Sequence, residues 1–295
     1  MSFVYLSAFE FPDADWEFDF RLTVKRTCYD SFYPFGVLSS RGLTRLEFEP
    51  VTLLYGGNGS GKTTAINIIG DTLGLTRGAL YNRSNFFPDY TQLCRFELRK
   101  PVPSKSRIIT SDDVFDYMID MRALNEGLDQ QREDLFEEYR DLKDSTKEPF
   151  RLQSIDDYEQ LKKVVTARRL TQSRYVRAGM KNNIREHSNG ENAFTFFTEM
   201  IRENGLYLLD EPENSLSPDN QQQLTSFLEE SARFYGCQFI IATQSPFLLA
   251  MHGARIYDLD SDPACVSKWT ELANVRAYYD FFKKHHNEFD AENQE

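Results

Sequence analysis

Apolar positions along this chain come in two registers. Short apolar runs punctuate it, and between them lie longer stretches in which apolar residues recur at helical spacing. Residues 3–9 and 18–24 are rich in aromatic and β-branched side chains with partial alternation, and residues 43–48 alternate again, so each predicts a strand. Pro50 ends the third. Val51–Tyr55 is a continuous apolar run closing on glycines, the pattern of a buried strand that feeds a loop. A helix is expected over 62–73, with Gly74 as its stop. Residues 82–89 read as loop and 107–110 as a further strand.

Residues 112–144 form a long polar helical stretch. Val114, Met121, Leu128, Leu135 and Leu142 recur along it at heptad spacing, whereas the companion positions Met118, Asn125, Arg132 and Tyr139 are mixed. Half a heptad seam predicts one or two amphipathic helices packed on a body, not a free coiled-coil arm. Pro149 ends this region, and a second helix is expected over 155–181. A helix carrying residues 194–201 follows Gly190 and stops at Gly205. Beyond it the pattern predicts a strand at 206–209, an amphipathic helix over 221–234, a strand at Gln238–Ala242, and short strands at 254–259 and 268–272. The acidic tail beyond His286 is expected to fray. This alternation predicts an α/β fold: a mixed central sheet with helices on both faces, an N-terminal antiparallel β region and an inserted helical lid. The chain divides accordingly into 1–110, 111–187 and 188–295.

Bulk properties narrow the classes. A chain of 295 residues with 40% hydrophobic and 27% charged residues has enough apolar material for a sizeable core. A net charge of −12 gives it no general attraction for nucleic acid or anionic membrane. No apolar run reaches the ~18 residues of a membrane span. Residues 1–10 lack the basic-then-apolar pattern of a secretory leader, so the expected compartment is cytoplasmic. Cys28, Cys94, Cys237 and Cys265 form no C-x-x-C pair and do not cluster with histidines, which speaks against a disulfide framework or a zinc site and for reduced, mostly buried thiols.

The chemistry lies in four short segments. Gly56-Gly57-Asn58-Gly59-Ser60-Gly61-Lys62-Thr63 fits G-x-x-x-x-G-K-[ST], followed by Thr64. Its glycines let successive backbone N–H groups turn inward onto phosphate oxygens, and the following helix adds its positive end. Lys62 is suited to the β- and γ-phosphates of ATP, and Thr63 to Mg2+. Next, the apolar strand 206–209 ends in Asp210 and Glu211. Asp210 suits the Mg2+ shell, and Glu211 the orientation and deprotonation of an attacking water. Third, Ser188-Asn189-Gly190-Glu191 opens a predicted helix, where a serine hydroxyl and glycine N–H make an anion site; from these residues alone a plain capping box, with Ser188 as cap and Glu191 three residues on, is the better reading. Fourth, Gln244 follows the strand at Gln238–Ala242, where a polar side chain can sense a γ-phosphate.

The order and spacing of these pieces resemble the ATP-binding cassette (ABC) ATPases. Among them the chain looks like the small stand-alone AAA family ATPases related to the RecF, SMC and OLD type. The resemblance runs from about Tyr33 to Leu259 and implies a P-loop NTPase fold of ABC type. By it, residues 56–64 are the Walker A motif, residues 188–191 the signature that binds the γ-phosphate held by an opposite subunit, residues 206–211 Walker B with Glu211 as catalytic base, and residues 215–218 the D-loop. The signature reads Ser-Asn-Gly-Glu rather than Ser-Gly-Gly-Gln. At the switch position the usual histidine is replaced by Gln244, which cannot carry charge, so slow hydrolysis is implied and a protonation switch is excluded. Asp112 and Gln92 are the candidates for the Q-loop residue, and Tyr33 and Phe35 for the aromatic that stacks on adenine.

Three functions remain open at this level. The first is an ATPase that forms a homodimer around two ATPs and acts with nucleic acid, in DNA repair or defence against foreign DNA. Its contact would be the acid-free run of Lys162, Lys163, Arg168, Arg169, Arg174, Arg177, Lys181 and Arg185. The same run also reads as a solvated helix face that offsets the acidic helix before it. The second is a transporter's nucleotide-binding subunit, which needs a protein partner in the membrane. The third is a slow ATP-sensing regulatory module.

Overall fold

The computed structural model describes residues 4–24, 29, 31–144, 157–180 and 189–291. The chain forms two compact units, Met1–Phe115 with Asn189–Glu295, and Asp116–Ser188. Two sheets organise the larger unit. In the first, β1 (Leu6–Glu10) lies between β2 (Arg45–Glu47) and β4 (Arg95–Leu98), antiparallel to both. The second contains β3 (Val51–Tyr55), β5 (Arg107–Thr110), β6 (Leu206–Asp210), β7 (Gln238–Ala242), β8 (Arg255–Asp258) and β9 (Cys265–Val266), in the order β5-β6-β7-β3-β8-β9. All its neighbours are parallel except β8 and β9.

The centre of this sheet is buried at every position of β3, β6 and β7, because both faces are covered, and this is why these segments read as continuous apolar runs. Register then decides what meets at the carboxyl edge. Thr110 pairs with Asp210, Asp210 with Ala242, and Leu54 with Ala242, so the loops that follow β3, β5, β6 and β7 emerge side by side. That edge is where α/β sheets place their ligands. Following β3, α2 (Lys62–Thr72) crosses so closely that a Cβ on Gly70 would stand 2.1 Å from the Ile108 side chain. Buried side chains link the two sheets, Gln238 of β7 to β1 and Tyr257 of β8 to Glu47 of β2. Gln238 accepts from the backbone N–H of Tyr5 (2.7 Å) and Leu6 (3.0 Å) and donates to the carbonyl of Leu6 (2.8 Å).

Several expected elements change type. Of residues 18–24, those up to Thr23 belong to a helix, α1 (Ala14–Thr23), not a strand, and Val24 is its C-cap. Asp13 caps it by accepting from the Trp16 N–H, and Glu17 is buried, its carboxylate accepting from Gly36 N–H and the Ser39 hydroxyl, both at 2.7 Å. A cap and one buried polar anchor outweigh a weak alternation of aromatics, most of which face solvent. Residues 82–89, expected as loop, run into α3 (Phe87–Leu93), which carries Pro88 in its first turn and buries Phe87 and Tyr90. Instead of a strand, residues 268–272 contain a 3₁₀ turn, Trp269–Glu271. Cys265 is exposed on β9, so not all the described thiols are interior.

The smaller unit is helical. It holds most of α4 (Ser111–Asp144), with α5 (Asp157–Arg169) and α6 (Gln172–Gly179). The single helix expected over 155–181 is therefore two helices, broken where Thr171 takes an extended conformation. Its core is Tyr139, Ala167 and Tyr175, with Leu135, Leu142 and Leu170 packed around them. The heptad residues Leu135 and Leu142 thus do pack, along with their companion Tyr139. In the larger unit α7 (Asn189–Met200), α8 (Pro218–Phe234), α9 (Pro246–Leu249), α10 (Ala273–Lys284) and α11 (His286–Ala291) complete the described chain. Among the described residues no helix is long and apolar enough to cross a membrane.

Candidate active site

The loop between β3 and α2 is built from backbone freedom. Gly59 and Gly61 hold φ of 81° and 99°, and a Cβ on Gly61 would come within 2.9 Å of Leu38. A side chain at Gly61 is therefore disfavoured twice, by conformation and by space. Gly61 then sits at the head of α2, so the helix opens at Lys62 with its first N–H groups facing the loop. Lys62 is 4% exposed, and its ammonium is held by the carbonyls of Gly56 (2.7 Å) and Gly57 (3.1 Å). The neighbouring Ser60 hydroxyl is buried without a hydrogen-bond partner.

Opposite stands the end of β6. Asp210 accepts from the Thr63 hydroxyl at 3.0 Å and is 8% exposed. Burial raises its pKa to about 6, assisted by the nearby Glu211 and Glu213 charges and opposed by Thr63 and Lys62. Glu211 is in the left-handed region (φ 48°), which turns the chain off the sheet and leaves its carboxylate 3.6 Å from the Lys62 ammonium. Its other oxygen accepts from the Asn214 amide at 3.0 Å. Lys62, Thr63, Asp210 and Glu211, assigned from separate motifs, thus come together at one edge of the sheet, as a Thr63–Asp210 hydrogen bond beside a Lys62–Glu211 ion pair.

Gln244 joins this group through Asn58, to which its amide donates at 3.1 Å. Two residues that the sequence reading did not single out position the loops here. Glu213 accepts from the Thr243 hydroxyl (2.8 Å) and the Gln244 N–H (2.7 Å), and burial raises its pKa. Asp260, after β8, accepts from the Gly57 N–H at 2.8 Å. The first lies within the acidic run D-E-P-E-N that the strand end already marks; nothing local marks the second.

Other candidates fall out differently. Phe35 is buried in the core and stacks on Phe20, so it presents no face to a base. Tyr33 is partly exposed, with its hydroxyl 3.2 Å from that of Thr64. Gln92 lines a separate groove with Trp16 and Arg45. Asp112 lies two residues beyond Thr110, the register partner of Asp210. Ser188 lies outside the described residues, as do Lys181 and Arg185; Gly190 is in the first turn of α7. Lys162, Arg168, Arg169, Arg174 and Arg177 are exposed.

Residues 177–250 match the family described as "AAA domain, putative AbiEii toxin, Type IV TA system". No curated protein matches the chain. Similar solved structures include the SMC head domain from Thermotoga maritima, at 13% identity over 90% of this chain and 98% of that one, with a TM-score of 0.40. The SMC head domain of Pyrococcus furiosus, bound to the C-terminal domain of ScpA, shows 13% identity over 82% and 95%, with a TM-score of 0.39. The cbiO1 component of the cbiONQ ABC transporter complex of Clostridium perfringens shows 15% identity over 82% and 85%, with a TM-score of 0.34. The described chain is an α/β fold with a six-stranded mixed sheet and a three-stranded antiparallel sheet, and it sets the glycine-rich loop after β3 beside the carboxylate end of β6.

Proposed function

We propose that this ABC-type P-loop chain binds and hydrolyses Mg-ATP, and that it does so as a homodimer closed around two nucleotides. The observation that carries the reading is the meeting of Thr63, Asp210, Lys62 and Glu211 across one edge of the sheet. A hydroxyl and a carboxylate 3.0 Å apart suit a hydrated magnesium ion, which takes few protein ligands and keeps several waters. When bound, that ion neutralises charge on the β- and γ-phosphate oxygens. The ammonium of Lys62, satisfied only by carbonyls and the nearby Glu211, is free to turn onto phosphate. The N–H groups of the loop beyond Gly57, whose own N–H is held by Asp260, and the head of α2 cradle the anion. Glu211 orients the attacking water and accepts its proton. Ser188 and Gly190 of one copy serve the γ-phosphate held by the other.

The test is Glu211→Gln. This variant is expected to bind ATP, to lose at least about 100-fold in turnover, and to pass from monomer to dimer on adding Mg-ATP, read by light scattering. Wild-type turnover in Glu211→Gln would remove the base assignment. A slower, sensing role is favoured by one observation: the switch position carries Gln244, an uncharged group paired with Asn58. Steady-state turnover of the wild type of roughly 1 per second or more argues against that role.

Coupling to nucleic acid belongs to the same proposal and is supported by the exposed cations of α5 and α6. Their contact with phosphates requires affinity that falls steeply with salt.

A further inference from the structure

We infer that Glu17 is a positioning residue for the nucleotide: from α1 its carboxylate fixes the turn of residues 36–39, on which Gly61 and the head of α2 rest. This deepens the nucleotide-binding reading above and depends on it. Glu17 is 3% exposed and stands outside every motif that marks the site. One of its oxygens accepts both the Gly36 N–H and the Ser39 hydroxyl. A carboxylate withdrawn from water needs such donors, because burial without them is costly. Burial pushes its pKa up, and the bonds from Ser39 and Gly36, with the Arg21 guanidinium, oppose the rise.

The turn needs an external hold. Gly36 sits at φ 84°, in the region open to glycine, and glycine has the most backbone freedom to lose. Two bonds to one buried carboxylate restrain it. Phe20, three residues on from Glu17, stacks on Phe35 with ring centroids 4.6 Å apart, and Tyr90 of α3 meets Phe35 edge-on at 4.9 Å. The second Glu17 oxygen is buried without a hydrogen-bond partner, as is the Tyr90 hydroxyl. An apolar side chain of similar volume would pack α1 without that cost. What the carboxylate alone supplies is the pair of bonds to the turn.

From the turn the contact passes to the glycine-rich loop. A Cβ on Gly61 would stand 2.9 Å from Leu38 and 3.3 Å from Val37, so both side chains press on that backbone. Leu38 is fully buried and cannot withdraw. At the entry to the turn, the Tyr33 hydroxyl lies 3.2 Å from that of Thr64. Gly61 and Thr64 bracket Lys62 and Thr63, which serve phosphate and magnesium in the proposed reaction. A shift of the turn therefore displaces the N–H groups at the head of α2, whose hold on an anion depends on their aim.

The experiment uses the full chain and reads Mg-ATP affinity by isothermal titration, stability by urea unfolding, and amide hydrogen exchange over residues 59–64 without nucleotide. Glu17→Leu removes the acceptor of both bonds and is expected to weaken ATP about fivefold or more and to speed that exchange. Glu17→Gln keeps an oxygen acceptor and is expected to stay within about twofold of wild-type affinity. Asp13→Ala removes the cap of the same helix and leaves the turn alone; it should lower stability with affinity and exchange unchanged. If Glu17→Leu does not fold, Ser39→Ala removes one donor, and faster exchange over 59–64 is the expected result. Wild-type affinity and exchange in Glu17→Leu, or wild-type exchange in Ser39→Ala, would overturn the inference and leave nucleotide binding standing. Equal losses of affinity in Glu17→Leu and Asp13→Ala would also overturn it, assigning Glu17 to the stability of α1 alone. A wild-type chain that binds no ATP overturns the binding reading and this inference together.

Discussion

Burial lifts the Asp210 carboxyl to about 6 because the free site surrounds it with apolar strand and two further carboxylates. Between the ordinary carboxylate value and 6 the folded chain therefore holds a proton that the unfolded chain has released. This group's contribution to stability is complete below about pH 4 and is lost as pH rises through 6, by about 3 kcal/mol. In the absence of metal and nucleotide, Asp210→Asn is accordingly expected to unfold at higher urea than the wild type at pH 7, with the difference shrinking at pH 4.5. On the proposed function, adding Mg-ATP should reverse the order at pH 7, because the ionised carboxylate would then be needed for the ion. Lys62 poses the complementary case, a buried cation with carbonyl partners. On the proposed function, Lys62→Ala would remove a charge-assisted contact to phosphate, and nucleotide affinity should fall at least about tenfold by isothermal titration.

At the scale of elements, sequence pattern and tertiary contact divide the work. The central strands were legible as apolar runs because both their faces are covered, and α2 and α8 were legible from period and punctuation. Helix α1 was not, since its decisive contacts are the Asp13 cap and the reach of Glu17 to Gly36 and Ser39. Two substitutions test how elements are held. By helix propensity alone, Gly70→Ala should stabilise α2 by about 1 kcal/mol. The 2.1 Å approach of Ile108 reverses the sign, and a net loss of about 1–2 kcal/mol is expected in thermal melts. Gln238→Leu keeps an apolar core but leaves the N–H groups of Tyr5 and Leu6 buried without an acceptor. It should cost about 3 kcal/mol or more in denaturant unfolding, far beyond the value of one solvent-exposed hydrogen bond.

Across the whole molecule, a net charge of −12 coexists with a run of exposed cations on α5 and α6. If those cations hold nucleic acid, neutralising Arg174 and Arg177 together should lower the slope of log affinity against log salt by roughly 1.5–2; an unchanged slope assigns the run to a solvated face. The sequence by itself determined the glycine-rich loop between β3 and α2, the carboxylate pair at a strand end and the buried centre of the sheet. Each of these depends on contiguous residues: glycine at a positive φ, a lysine one step into a helix, an unbroken apolar run. Only the tertiary structure decided that Asp260 holds Gly57, that Glu213 holds the loop of Gln244, that Phe35 is core, and that the aromatics of α10 stand beside Glu211. Those facts depend on register between strands far apart in the chain. A hydrogen bond or a shared cavity wall between distant residues leaves no periodicity in the residues that make it.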